Sequence, residues 1–117
     1  MPLPREYTHI TIDRTYHPGQ WDRISLGLVP QEMEDKWFIY EEDYWIYIHR
    51  SWTGVCLYKV RFENTEDSLQ IAEAYANRNP EQYSNTDSKY DSQFIAWMID
   101  YFLLGKKDAL LPSNQTH

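Results

Sequence analysis

The residues best suited to chemistry occupy six consecutive positions, His49-Arg50-Ser51-Trp52-Thr53-Gly54. An arginine can hold a phosphate or carboxylate through two parallel hydrogen bonds, and a tryptophan can stack on a flat ring. The Ser51 and Thr53 hydroxyls, with the turn N–H groups near Gly54, can surround anion oxygens. His49 can orient the loop or act as an acid or base, roles that histidine side chains commonly take. This segment therefore predicts a binding loop for an anionic, nucleotide-like ligand.

A purely architectural role would explain the same six residues. Gly and Ser are common turn formers, and their hydroxyl or N–H groups can be consumed by the turn itself. Trp52 can fold back onto a sheet, and Arg50 can cover apolar surface with its methylene chain. The sequence leaves open whether Trp52 belongs to the core or to a site.

Two His-x-Ser/Thr tripeptides make His9 and His49 the catalytic candidates: His9-Ile10-Thr11 and His49-Arg50-Ser51. Placed on adjacent strands, such tripeptides supply an acid and a base across a phosphodiester, as in two-histidine phosphoesterases. The second tripeptide departs from that pattern because Arg50 replaces an apolar residue. A phosphoester or ADP-ribose-type hydrolase with His49 as base is therefore an alternative, and binding without turnover is the preferred hypothesis.

Charge suggests a further alternative. The chain of 117 residues has a net charge of −7, which disfavours duplex nucleic acid as a partner because phosphates require clustered cations. Residues 63–117 hold nine acidic and four basic residues. This half predicts a surface for a basic protein partner, as in immunity or antitoxin proteins. The acids proposed to meet that partner are Glu66, Asp67, Glu73 and Asp91.

Composition bounds the rest. A chain of this length forms one domain, and the single cysteine, Cys56, fits a reducing compartment. The N-terminus does not resemble a signal peptide, and the longest apolar cluster, 94–104, is too short to span a bilayer. We therefore expect a cytoplasmic protein without membrane contact. Since no P-loop, dinucleotide or metal-binding motif is present, we expect neither a cofactor nor a metal.

Alternating apolar residues predict the strands, which centre on a meander over residues 36–62. Regular pairing across residues 51–54 joins Arg50 to Val55 and His49 to Cys56. The same pairing puts Lys59 and Arg61 on the face of Arg50, where both add positive potential. The predicted strands are 8–12, 24–28, 37–41, 45–50 and 55–62.

Two helices are predicted to follow the strands. The first covers 64–77 and begins at Asn64. The second begins at Ser88, with Asp91 completing a capping box, and Gly105 ends it.

The predicted fold class is α+β: an antiparallel sheet of four or five strands with two C-terminal helices packed on one face. Residues 1–107 form the predicted domain, and residues 108–117 a frayed tail. An uncovered aromatic sheet face would make a homodimer another expected partner arrangement.

The motif Lys36-Trp37-Phe38, followed by residues 47–54 and then Tyr58-x-Val60-x-Phe62, resembles a group of small bacterial proteins and domains. They share a K-W-F…Y-x-H-R-S-W-T-G…Y-x-V-x-F pattern, which covers about a quarter of this chain. The resemblance implies that residues 49–54 are the shared feature. It also implies an occasional association with ADP-ribose or nucleotide-handling domains, and it assigns no catalytic role.

Overall fold

A computed structural model describes residues 6–32, 35–82 and 87–109. These residues form six strands, two α-helices and one short stretch each of 3-10 and π helix. In chain order the elements are β1 (Tyr7–His9), β2 (Thr15–Tyr16), a 3-10 turn (Pro18–Gln20), α1 (Trp21–Ile24), β3 (Trp37–Glu42), β4 (Trp45–Arg50), β5 (Cys56–Asn64), β6 (Leu69–Asn77), α2 (Ser88–Met98) and a π-helical turn (Ile99–Leu103).

The strands form one antiparallel sheet in the order β1-β6-β5-β4-β3, and β2 also pairs with β6. The predicted meander is confirmed as the hairpins β3–β4 and β4–β5. With its antiparallel sheet and its helices the protein belongs to the α+β class, as predicted.

The helix predicted over 64–77 is wrong, because this segment contains strand β6. Thr65 and Ser68 close a turn in which the Thr65 N–H donates to the Ser68 carbonyl at 2.8 Å. The chain then returns along β5 and is flanked by β1 on its other side. The alanines at 72, 74 and 76 favour a helix in isolation. Pairing on both edges outweighs that preference, and Ala74 and Ala76 are fully buried.

The strand predicted over 24–28 is also wrong. Residues 21–24 form α1, and only Leu28 joins the sheet, through an isolated bridge to Ile39. The strand predicted over 8–12 is shorter than expected, ending at His9, although the Ile10 N–H still donates to Ala74 at 2.8 Å.

A β-bulge in β5 overturns the predicted sheet faces. His49 opposes Cys56 as predicted, but Ile48 then opposes Tyr58, so Leu57 is the extra residue. One inserted residue reverses the alternation beyond it. Lys59 consequently opposes Tyr47 on the face opposite to Arg50.

The core lies on the sheet face that carries Ile46, Ile48, Tyr58 and Val60, all of which are fully buried. Apolar residues of α2 and the π-helical turn join the same cluster. The Phe94 ring lies 5.7 Å from the Trp37 ring and 6.2 Å from the Tyr58 ring. The buried core residues of α2 are Ile95 and Met98, and those of the π-helical turn are Ile99 and Leu103.

Helix α2 is capped by Asp87, one residue before Ser88, the cap that the predicted capping box requires. The Asp87 carboxylate caps it by accepting hydrogen bonds from the Lys89 and Tyr90 N–H groups at 3.0 and 3.2 Å. Asp91 is not a capping residue; it is buried and bound elsewhere. The predicted end is confirmed, since Gly105 takes a left-handed φ of +71°.

Most of the predicted C-terminal tail, from residue 110 on, lies outside the described residues. Among those described, no helix combines the length and apolarity that crossing a membrane requires.

Candidate functional site

A cavity of about 330 Å³ opens between the β4–β5 loop and the segment that follows β6. Its volume lies at the lower end of the roughly 300–1,000 Å³ typical of small-molecule sites. Three of the predicted site residues, Arg50, Trp52 and Thr53, line it. The remaining lining residues are Lys36, Val55, Glu81 and Gln82.

Backbone bonds shape the β4–β5 loop. The Gly54 N–H donates to the Arg50 carbonyl at 2.8 Å, and the Arg50 N–H donates to the Val55 carbonyl at 3.0 Å. Gly54 has a φ of +71°, a left-handed conformation that favours glycine. These contacts fix where Arg50 leaves the strand and where Trp52 stands at the turn.

Both loop hydroxyls take part in holding this turn. The Ser51 Oγ donates to the Asp35 carbonyl at 2.5 Å, and the Ser51 N–H donates to the Lys36 carbonyl at 2.8 Å. Thr53 Oγ1 accepts from the Val55 N–H at 3.2 Å. The Ser51 contacts tie the loop to the chain just before β3, so Lys36 is brought to the cavity.

Trp52 is a surface residue, with 74% of its area exposed. A tryptophan that contributed to the core would be largely buried, since aromatic rings supply much of the apolar area buried in folding. The architectural interpretation of Trp52 as core is therefore wrong. Its side chain lines the cavity, where a flat ligand can reach it.

The cavity carries two cations, Arg50 and Lys36, that join no ion pair with another described residue. The Arg50 guanidinium lies over the Trp37 ring, 5.0 Å from its centre. Within the described ranges, the ion pairs are Arg14–Asp100, Arg61–Glu73 and Arg78–Asp91. Neither Arg50 nor Lys36 belongs to any of these, so their charge is available to an anionic ligand.

Five of the eight predicted site residues do not line this cavity. Ser51 and Gly54 belong to the turn beside it, and the other three lie on the far side of the sheet. His49 is 96% buried on the opposite sheet face, where its ring lies 5.5 Å from Tyr40 and 5.8 Å from Phe38. Lys59 and Arg61 are on that same face because of the β5 bulge. The prediction that they reinforce Arg50 is therefore wrong.

The contacts of Lys59 and Arg61 are made within the opposite face. The Lys59 ammonium lies 4.8 Å from the Trp45 ring centre and 5.3 Å from that of Tyr75. Arg61 pairs with Glu73 at 2.6 Å. Both cations are thus engaged with neighbours on their own face of the sheet.

The two candidate histidines are not on adjacent strands. His9 lies on β1 and His49 on β4, with β6 and β5 between them. Three strand spacings of about 4.8 Å place them roughly 14 Å apart across the sheet. One phosphodiester cannot be held between an acid and a base at that separation, because each must be within hydrogen-bond reach.

Asparagine side chains build the wall opposite the loop. Asn77 is fully buried, and its Nδ2 donates to the Cys56 carbonyl and to Gln82 Oε1, both at 2.9 Å. Asn77 Oδ1 accepts from the Asn79 N–H at 2.7 Å, and Asn79 Oδ1 accepts from the Glu81 N–H at 2.9 Å. This chain of hydrogen bonds positions Glu81 and Gln82 at the cavity.

Sequence reasoning missed Lys36, Glu81 and Gln82 as site residues. Lys36 lies 14 positions before Arg50, and Glu81 and Gln82 lie almost 30 positions after Trp52. Asn79-Pro80 marks a turn in the sequence, but nothing local shows which loop that turn faces.

A buried ion pair stabilises the segment that carries Glu81 and Gln82. Arg78 Nη2 donates to Asp91 Oδ2 at 2.5 Å, and the Tyr58 hydroxyl donates to Asp91 Oδ1 at 3.0 Å. The Asp91 side chain is fully buried and that of Arg78 is 14% exposed. The pair joins the end of β6 to the first turn of α2 across β5.

The four acids predicted to meet a basic partner do not form one surface. Asp91 is buried, and Glu73 pairs with Arg61 on the sheet face. Glu66 and Asp67 are exposed in the β5–β6 turn. Charge reversal at Asp91 would therefore report on folding and not on partner contact.

Cys56 is fully buried, and burial raises the pKa of its thiol to about 11. At pH 8 the folded protein should react with iodoacetamide about 100-fold more slowly than the unfolded chain, because the thiolate is the reactive form. Mass spectrometry of samples with and without urea measures this. Rapid alkylation of the folded protein would contradict the buried position.

No protein-family profile, no curated protein and no solved structure matches this chain. Among the described residues, no three His, Cys, Asp or Glu side chains are grouped closely enough to hold a metal ion.

Proposed function

We propose that this protein binds a small anionic ligand that carries a flat ring, as a nucleotide does, in the cavity beside the β4–β5 loop. The observation that carries the proposal is the combination of Arg50, Lys36 and the exposed Trp52 around one cavity. Two neighbouring cations attract an anion into a partly enclosed site, where screening is weaker than on an open surface.

Each residue of the cavity has a separate role in this proposal. Arg50 holds the anionic group and is kept in place by its stacking on Trp37. Lys36 adds a second charge, and Trp52 provides a stacking surface for the ring. Ser51, Thr53 and Gly54 fix the loop through the contacts described above, and binding involves no turnover.

We expect Arg50→Ala and Trp52→Ala to abolish ligand-induced stabilisation without unfolding the protein. Both side chains are exposed, so each substitution should change the free energy of unfolding by only about 0.5 kcal/mol. A ligand that binds the native state raises the melting temperature by mass action. Thermal-shift measurements with nucleotides, ADP-ribose, sugar phosphates and inorganic phosphate test this.

Lys59→Ala is the matched control, because it removes one positive charge from the opposite sheet face. The proposal requires the ligand-induced shift to survive in Lys59→Ala and to disappear in Arg50→Ala. A shift that is lost in the control and retained in Arg50→Ala would place the ligand on the other face. No shift with any of these ligands would refute the proposed function.

A further inference from the structure

Glu81 is a third charged group in the cavity, and an anionic ligand alone does not account for it. Its backbone is fixed by Asn79, and its side chain joins none of the ion pairs formed by the described residues. A carboxylate can only accept hydrogen bonds. In a site for a bare anion it would repel the ligand that Arg50 and Lys36 attract.

The cavity therefore presents three different chemistries: cations for an anion, an aromatic ring for stacking, and a carboxylate for hydrogen-bond donors. A ligand that satisfies all of them carries an anion, a flat ring and hydroxyl or similar donors. A nucleoside phosphate has this composition. Its ribose links the base to the phosphate and carries two free hydroxyls. The modest cavity volume suits a mononucleotide.

We propose that the ligand is a ribonucleoside phosphate whose 2′ and 3′ hydroxyls donate to the Glu81 carboxylate. The inference rests on the proposed function of the cavity and deepens it. Arg50 and Lys36 then bind the phosphate, and Trp52 stacks on the base.

The hydrogen bonds that hold the segment around Glu81 favour this role. The buried Asn77 links Gln82 to the Cys56 carbonyl, and Asn79 holds the Glu81 N–H. A binding group gains specificity when neighbouring hydrogen bonds fix it before the ligand arrives. Recognition of a hydroxyl by a charged acceptor can discriminate strongly against the analogue that lacks it, because the charged acceptor is left unpaired.

Calorimetric titration with the four ribonucleoside 5′-monophosphates and their 2′,3′-dideoxy counterparts tests the inference. For the ribonucleotide that binds the wild type, we expect the dideoxy analogue to bind about 10-fold more weakly or worse, as for loss of hydrogen bonds to a charged group. In Glu81→Ala this preference should fall below about 3-fold, because the acceptor is gone. Glu81→Gln, which keeps an acceptor oxygen without the charge, should fall between the two proteins.

The outcomes separate this inference from the proposed function. Equal affinity for ribo and dideoxy forms, with binding still lost in Arg50→Ala, overturns the role of Glu81 and leaves the anion site intact. A ribose preference that persists unchanged in Glu81→Ala also overturns it. If no nucleoside phosphate binds while another anion does, the ligand class is refuted; if no anion binds, both proposals fall. Because Glu81 is exposed, its variants are expected to fold.

Discussion

Replacing Asp91 with alanine is expected to lower the free energy of unfolding by about 3–5 kcal/mol, the range measured when one partner of a buried ion pair is removed. The substitution leaves the Arg78 guanidinium, only 14% exposed, without this partner. It also takes from the Tyr58 hydroxyl the acceptor that lies 3.0 Å away. Domains of this size have roughly 5–15 kcal/mol of stability, so the variant should remain folded but marginal.

Urea unfolding followed by tryptophan fluorescence measures this change, and Glu73→Ala is its control. Glu73 also pairs with an arginine, Arg61, but both of those side chains are 35% exposed. Screening by water makes such an exposed pair contribute far less than a buried one, so Glu73→Ala should cost much less stability than Asp91→Ala. Similar losses in the two variants would contradict the structural distinction between a buried and an exposed pair.

The same variant bears on the binding site. Arg78 follows Asn77, the residue that bonds Gln82 at the cavity wall. Loosening the Arg78–Asp91 pair should therefore weaken ligand binding as well as stability, although neither side chain lines the cavity. Asp91→Asn, which keeps an oxygen for Tyr58, should lie between the wild type and Asp91→Ala in both measurements.

Gly27→Ala is expected to destabilise the protein by about 3 kcal/mol or more. Gly27 has a φ of +68°, and a left-handed conformation costs other residues about 1–2 kcal/mol. A Cβ at this position would also lie 2.2 Å from the Ile39 carbonyl oxygen, a backbone atom of β3. Relief requires the Leu28–Ile39 bridge to move, and its two hydrogen bonds of 2.8 and 2.9 Å to lengthen.

Gly54→Ala separates the cost of the left-handed backbone conformation from the cost of the Cβ clash. Gly54 has nearly the same φ, +71°, but a Cβ there meets nothing within 4 Å. Its cost should be limited to the left-handed conformation, about 1–2 kcal/mol. Equal unfolding midpoints for the two variants in a thermal melt would mean that the close approach at Gly27 contributes nothing.

Part of the site could be read from the sequence because its signal was local. The turn at residues 51–54 combines a glycine that the backbone requires with a tryptophan that it does not. That contrast pointed to Arg50 and Trp52, and the structure places both at one cavity. Lys36 and Glu81 carried no such signal, since their nearness to the loop depends on where distant segments fold back.

Local sequence rules predicted some strands and helix ends correctly and others wrongly. Alternation identified β3, β4 and β5, whose apolar residues recur every second position, and Gly105 marked the end of the C-terminal helical region. The segment 69–77 misled because alanine and leucine favour a helix when no partner is considered. Its two neighbouring strands supply backbone hydrogen bonds on both edges, and only the folded sheet contains them.

The sequence by itself determined an α+β chain, a meander of three strands and a turn with unusual side chains, because each follows from local periodicity and turn chemistry. Tertiary structure alone decided which residues share a face. One extra residue, Leu57, moved Lys59 and Arg61 away from Arg50, since a shift of one position reverses every side chain beyond it. Tertiary structure also created the cavity, because Lys36, Arg50 and Glu81 come together only when β6 is paired with β5.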